Sequence, residues 1–139
     1  MMMDLLSMQG WTIDDLAENR LGRLSAAQKT KLEQGTPELF GLLRTGLPKE
    51  DIRRGVVDTY DGECREFEGP TSNGPTLTLT VGTRILYWLD AESYRASTIL
   101  AARMAILAGW ARDRQHVRVY ALGNKIVAIE PLPLEALER

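Results

Sequence analysis

His116 and Cys64 are the only imidazole and the only thiol in the 139 residues, and they bound what nucleophilic chemistry the chain offers. A hydrolase or transferase needs a nucleophile with a base in reach of it. His116 opens a strand-like stretch beside Gln115 and Val117, and Cys64 falls in another, so the two would meet only if those strands closed on one another. A cysteine half-buried in a strand is the simpler reading, and a lone thiol leaves no intramolecular disulfide and no multi-cysteine metal site. Asp58, Asp61, Glu63, Glu66 and Glu68 crowd together with Arg54 and Arg65 near them. Lacking EF-hand spacing and clustered histidines, they read as a solvated strand face and not as a metal site. Gly69, Gly74 and Gly82 lack the lysine and the spacing of a phosphate loop, and no Gly-x-Gly-x-x-Gly occurs. The expectation is a protein that is not an enzyme, with no catalytic residue, no metal and no cofactor.

Binding chemistry remains. Tyr87, Trp88 and Tyr120 offer faces on which bases stack, and Arg84, Arg118 and Lys125 offer charge to phosphates, the combination used by single-strand nucleic-acid binders. Two features argue against it. Tyr87 and Trp88 point to opposite faces of one strand, and the pI near 5.5 is low for a dedicated nucleic-acid protein. Formal net charge is −2, with six basic residues and only Asp113 as an acid between Arg95 and Lys125. Arg103 lies amid apolar positions, where an unpaired guanidinium would cost several kcal/mol. It either snorkels to an edge, meets a structural acid, or contacts an anion or small ligand at a barrel mouth.

A helix read over residues 91–112 carries the favoured alternative. Asp90 caps it, Glu92 sits in its first turn, and Arg112 and Arg114 suit its negative end. Ala96, Ile99, Leu100, Met104, Ile106, Leu107, Trp110 and Ala111 fall in an arc of roughly 160°, wide enough to cover a sheet or barrel. The opposite side is built of small residues. Ala101, Ala105 and Gly109 recur at every fourth position, with Ala108 beside them, a spacing that lets another backbone approach closely. These four residues are the expected interaction face, for a protein partner or a second copy in a homodimer.

The elements around that helix follow from local signals. Met1 to Gly10 reads as a loosely held lead. Thr12 with Asp15, and Ser25 with Gln28, have capping spacings that open helices ending near Gly22 and Gly35; Thr36-Pro37-Glu38 opens a third, with Leu39, Phe40, Leu42 and Leu43 as its apolar set. Helices this short must pack on something, and the small-residue side of the long helix is the expected partner. From Arg54 the period is two, interrupted by Asp61-Gly62, a turn or bulge signal. Thr76–Val81 and Arg84–Leu89 flank Gly82-Thr83, and His116–Leu122 and Lys125–Glu130 flank Gly123-Asn124, as two hairpins. Pro131 and Pro133 end the sheet, and Leu134–Arg139 is at most a helical turn.

The sequence therefore predicts an α+β protein: short N-terminal helices over residues 1–50, then a small OB-like β-barrel over 51–139, in the order β-β-β-α-β-β with 54–68 as one long bent strand. A split six-stranded sheet is the alternative if Asp61-Gly62 turns the chain. No run of about 18 uncharged apolar residues suggests a membrane span, and no leader pattern is present, so a cytoplasmic protein is expected.

Asp15-Leu16, Asn19-Arg20, Gly22-Arg23-Leu24-Ser25 and Gln28, together with Val117-Arg118-Val119-Tyr120 and Ile129-Glu130-Pro131-Leu132, resemble segments of uncharacterised bacterial proteins. In those a helical start is followed by a membrane-spanning pair and a small β domain. This chain departs from them by lacking the spanning helices. The resemblance implies a helical start and a small β domain, and no chemistry.

Overall fold

The computed structural model describes residues 11–34, 49–68, 78–88 and 98–132. Within them the order is α1 (Ile13–Arg20), α2 (Ala26–Gln34), α3 (Lys49–Arg54), β1 (Asp58–Glu68), β2 (Thr78–Val81), β3 (Arg84–Trp88), α4 (Thr98–Arg112), β4 (His116–Leu122) and β5 (Lys125–Pro131). The strands close into a barrel in the order β1-β2-β3-β5-β4. All neighbours are antiparallel except β3 and β5, which meet in parallel at Tyr87↔Lys125 and Trp88↔Ile126.

One long strand makes the closure possible. β1 pairs with β4 from Asp58 to Glu63 and with β2 from Cys64 to Glu68. Asp61 and Gly62 stand in register with Arg118 and Val117 in the middle of this strand, so the split-sheet alternative is corrected to a closed barrel. Gly62 does its work through size: a Cβ there would lie 3.0 Å from Val81 Cγ1 and 3.4 Å from the Gly82 nitrogen. Its bare backbone lets the start of the β2–β3 hairpin cross close to β1. The register then skips Arg65, which bends the strand between its two partners. Gly82 and Gly123 have φ of +63° while Thr83 and Asn124 keep negative φ, the backbone pattern of II′ turns in both hairpins.

The barrel interior is filled by Cys64, Leu79, Val81, Leu86, Val117, Val119, Ala121, Ile126 and Ile129, and α4 closes it with Leu107 and the partly buried Met104, Ile106 and Trp110. Those helix residues belong to the arc read from the sequence. β4 and β5 are buried on their other side as well: Tyr120, Leu122, Val127 and Ala128 join Trp11, Leu16, Leu24, Leu32, Ile52 and Val57 in a second cluster. The N-terminal helices thus cover the outer wall of β4–β5. This corrects the expectation that they dock on the small-residue side of α4, where Ala105 and Ala108 are exposed. The physical reason lies in the strands: His116–Leu122 and Lys125–Glu130 hold apolar residues at both parities, and burying that second face removes more apolar surface than covering alanines.

Local hydrogen bonding fixes the helical cap. Thr12 and Asp15 form a reciprocal capping box on α1. Ser25 and Gln28 form the second, with the Gln28 amide N–H donating to Ser25 Oγ and the Ser25 N–H donating to Gln28 Oε1, both at 3.0 Å. The two boxes are tied together: Ser25 Oγ donates to Asp15 Oδ1 at 2.5 Å, and the side chains of Asn19 and Gln28 exchange bonds of 2.8 and 2.9 Å. Asn19 also donates to the Arg23 carbonyl. The loop between α1 and α2 then joins the barrel, since the Leu24 N–H donates to the Gly55 carbonyl and the Val57 N–H to the Gly22 carbonyl. Four of the residues behind the N-terminal resemblance, Asp15, Asn19, Ser25 and Gln28, therefore form one buried polar network. α3, with Ile52 wholly buried, was not anticipated and straddles the boundary drawn at residue 50. The expected helix at Thr36–Leu43, the helix start at Asp90, the lead Met1–Gly10 and the segment Leu134–Arg139 lie outside the described residues.

α4 ends in an unusual cap. The Gln115 N–H donates to the Trp110 carbonyl at 2.9 Å, and Arg114 takes φ +56°, a left-handed conformation that glycine or asparagine usually supplies at this position. Arg114→Gly is expected to raise the unfolding free energy by up to ~1 kcal/mol in urea titrations. A loss instead would mean that the arginine side chain contributes more than its backbone costs.

Candidate functional site

The cations nominated for phosphate contact are engaged within the barrel. Arg118 and Asp61 face each other across the β1–β4 ladder and form a two-pronged pair, Nε to Oδ1 at 2.8 Å and Nη2 to Oδ2 at 2.9 Å. That pair raises the guanidinium pKa above its usual value, chiefly through the hydrogen bond to Asp61. Both side chains are more than a third exposed, so the pair contributes below ~1 kcal/mol to stability. Arg84 lies over the Tyr60 ring at 4.0 Å, and Lys125 over the Tyr87 ring at 4.6 Å.

Tyr120 is corrected outright as a surface contact. It is wholly buried beneath the N-terminal helices, and its hydroxyl donates to Glu130 Oε2 at 2.7 Å. Burial, followed by that hydrogen bond, pushes its pKa up. Arg20 of α1 reaches the same carboxylate at 3.1 Å, so Glu130 joins helix to wall. The side chains of Trp88, Arg103 and Ala101 lie outside the described residues.

Cys64 is wholly buried inside the barrel and not half-buried as expected, and burial pushes its thiol up to about 12. β1 pairs with β4 at Glu63↔His116, and the Cys64 N–H donates to the Gln115 carbonyl. Two consequences are expected. Below pH 8.5 the native thiol should resist a disulfide reagent on a timescale set by unfolding. Stability should fall as pH rises from about 8.5, where the unfolded thiol begins to ionise, toward 12, because over that window the native state retains a proton that the unfolded state releases. Rapid labelling in native buffer, or a flat stability profile over that window, would contradict the burial.

The small-residue side of α4 is open. Ala105 and Ala108 are exposed and Gly109 is half-buried, and among the described residues a Cβ on Gly109 would meet only the Arg112 guanidinium, at 3.6 Å. Ala108 and Ala111 form one wall of an open groove of about 590 Å³, whose other wall is the outer face of β1, β2 and β3 at Glu66, Glu68, Thr78, Thr80 and Ile85. Ile85 is 56% exposed, one of the few large apolar side chains left so. Arg65, Arg112 and Arg114 bring three guanidinium groups to this groove. Arg114 Nη1 donates to the Arg65 carbonyl at 3.4 Å, tying the end of α4 to the β1 bulge. The sequence reading assigned Arg112 and Arg114 to the helix dipole and to the cationic stretch between Arg95 and Lys125; the bend in β1 that brings Arg65 beside them depends on register. Among the described residues there is no cluster of acids, cysteines and histidine fit for a metal, and no helix long and apolar enough to cross a membrane.

Comparison with protein-family models, curated proteins and solved structures gives no match to this chain.

Proposed function

We propose that this protein is a non-catalytic interaction or self-association module on an OB-type barrel, which docks a protein partner or a second copy against α4. The OB reading is supported by the strand order, the parallel β3–β5 contact and the helix between β3 and β4. The functional reading is carried by one observation: Ala105 and Ala108 stand exposed on α4 while the N-terminal helices cover the opposite wall. Small side chains there let a helix or strand approach closely at little steric cost. The nucleic-acid reading is weakened by the engagement of Arg84, Arg118 and Lys125 and by the burial of Tyr120. A small ligand at the barrel mouth is disfavoured because apolar side chains fill the interior and α4 packs across it.

Light scattering at low and high salt, alone and with a short mixed-sequence single-stranded DNA, tests the reading. A dimer indifferent to both additions is expected. In Ala105→Leu the added bulk projects from an exposed position, so stability should change by less than ~0.5 kcal/mol while assembly is lost. An unchanged mass for that variant rejects the α4 face, and a monomer that gains mass with DNA only at low salt favours nucleic-acid binding.

A further inference from the structure

We propose that the groove between α4 and the outer face of β1–β3 is a self-complementary surface, which receives the same groove of a second copy of this chain. This rests on reading the small-residue side of α4 as a docking surface, and it names the occupant and its orientation.

The groove carries both signs of charge. Its guanidinium groups gather at the β1 bulge, where Arg114 donates to the Arg65 carbonyl and Arg112 stands on the last turn of α4. Its acids run on along β1: Glu66 comes next, and Glu68 is three residues from Arg65, about 10 Å at the rise of a strand. All five residues are exposed. Among the described residues Arg65, Arg114, Glu66 and Glu68 have no oppositely charged side chain within 4 Å, and Arg112 has only its exposed neighbour Asp113, at 3.4 Å. Charges that could neutralise one another are therefore left unpaired within the molecule.

An apolar strip accompanies them. Ile85 is 56% exposed and stands in register with Thr80, which is itself in register with Glu66. Ala108 faces it from the α4 wall, one turn before Arg112, and Ala105 extends that wall.

A two-fold contact sets each patch against its own copy turned by half a circle, so that whatever residue i meets, its copy meets as well. The guanidinium end of one groove then lies on Glu66 and Glu68 of the partner subunit, and the pairing is made twice. A partner of uniform charge would match one end of the groove and meet like charge at the other, which costs affinity. The second copy answers both ends at once. Ile85 and the α4 alanines supply the apolar contact that holds the pair, while the charges select its orientation, so the dimer persists in salt.

Sedimentation equilibrium of the wild type and of two charge-reversed proteins tests this. Glu66→Arg/Glu68→Arg reverses the acids, and Arg65→Glu/Arg112→Glu reverses two of the bases while leaving Arg114 to cap α4. Each reversal sets like charges together twice, so either protein alone should dimerise at least ~100-fold more weakly than the wild type. An equimolar mixture of the two should regain dimer mass, since each then finds its opposite charge on the other. Reversed proteins that keep wild-type affinity would overturn the proposal, and so would a mixture that stays monomeric. A monomeric wild type would overturn it too, in favour of docking by a different protein. Should a reversal unfold the protein, Glu66→Gln/Glu68→Gln reads the same contacts: a loss of ~10-fold is expected, and unchanged affinity would reject them. Loss of the dimer by Ala105→Leu bears on α4 as the docking face, and recovery on mixing bears on the two-fold pairing, so the two can fail separately.

Discussion

Replacing Gln28 by leucine is expected to lower the unfolding free energy by about 3 kcal/mol, because the change orphans buried groups at nearly constant volume. Gln28 is wholly buried, and three separate bonds converge on its amide: Oε1 accepts from Asn19 Nδ2 and from the Ser25 N–H, and Nε2 donates to Asn19 Oδ1. With leucine there, the Ser25 N–H and Asn19 Oδ1 remain buried without those partners, at ~1–3 kcal/mol each. The double variant Asn19→Leu/Gln28→Leu removes both amides together. It should cost less than the sum of the single changes, with a coupling of ~1–2 kcal/mol. Urea titrations of the four proteins measure it. A loss below ~1 kcal/mol for Gln28→Leu would mean that water replaces the missing bonds and that the network is not closed.

This network shows what local sequence reading reaches and where it stops. Thr12 with Asp15 and Ser25 with Gln28 are short-range patterns, and each opens its helix as read. Their junction through Asp15–Ser25 and Asn19–Gln28 depends on the path of the loop between them, which no spacing rule encodes. The hairpins at Gly82-Thr83 and Gly123-Asn124 were legible for the same reason, since each turn fixes the register of strands adjacent in sequence. Asp61-Gly62 carries an equally good turn signal, yet there the glycine serves a close approach to Val81, a residue nineteen positions away.

The larger error concerned which surfaces meet. A helix with an apolar arc and an alanine-rich back offers two places to pack, and periodicity cannot rank them against a strand wall elsewhere. Part of the signal was present: Tyr120 and Leu122 lie on the outward parity of β4, whose inward parity is already apolar, while the skipped register at Val127 lets both Val127 and Ala128 of β5 face outward. Such runs mark strands covered on both faces. Side-chain pairings were the least legible part of the site. Arg118 finds Asp61 and Lys125 finds Tyr87 through cross-strand register, and Arg84 reaches Tyr60 across the intervening β2.

Trp11→Ala is expected to cost about 3–5 kcal/mol and to uncouple the helices from the barrel before the barrel itself opens. The indole is 8% exposed within the outer cluster, and its Nε1 donates to the Val127 carbonyl at 2.9 Å, where the β4–β5 register skips a residue. Truncation therefore removes apolar contact with the strand wall and a bond that reaches 116 residues along the chain. The barrel interior is a separate cluster closed by α4, so the loss should fall on the helices. Hydrogen exchange should show amides of Leu16, Asn19 and Gln28 losing protection while Val117 and Val119 retain theirs. Detached helices would bare the outer faces of Leu122, Val127 and Ala128, making the variant prone to associate at high concentration. Trp11→Phe retains a buried six-membered ring but loses the N–H and part of the packed indole, so a smaller loss of ~1–3 kcal/mol is expected for it. Equal loss of protection in helices and strands would instead establish a single cooperative unit, in which the outer cluster supports the barrel as firmly as the inner one does.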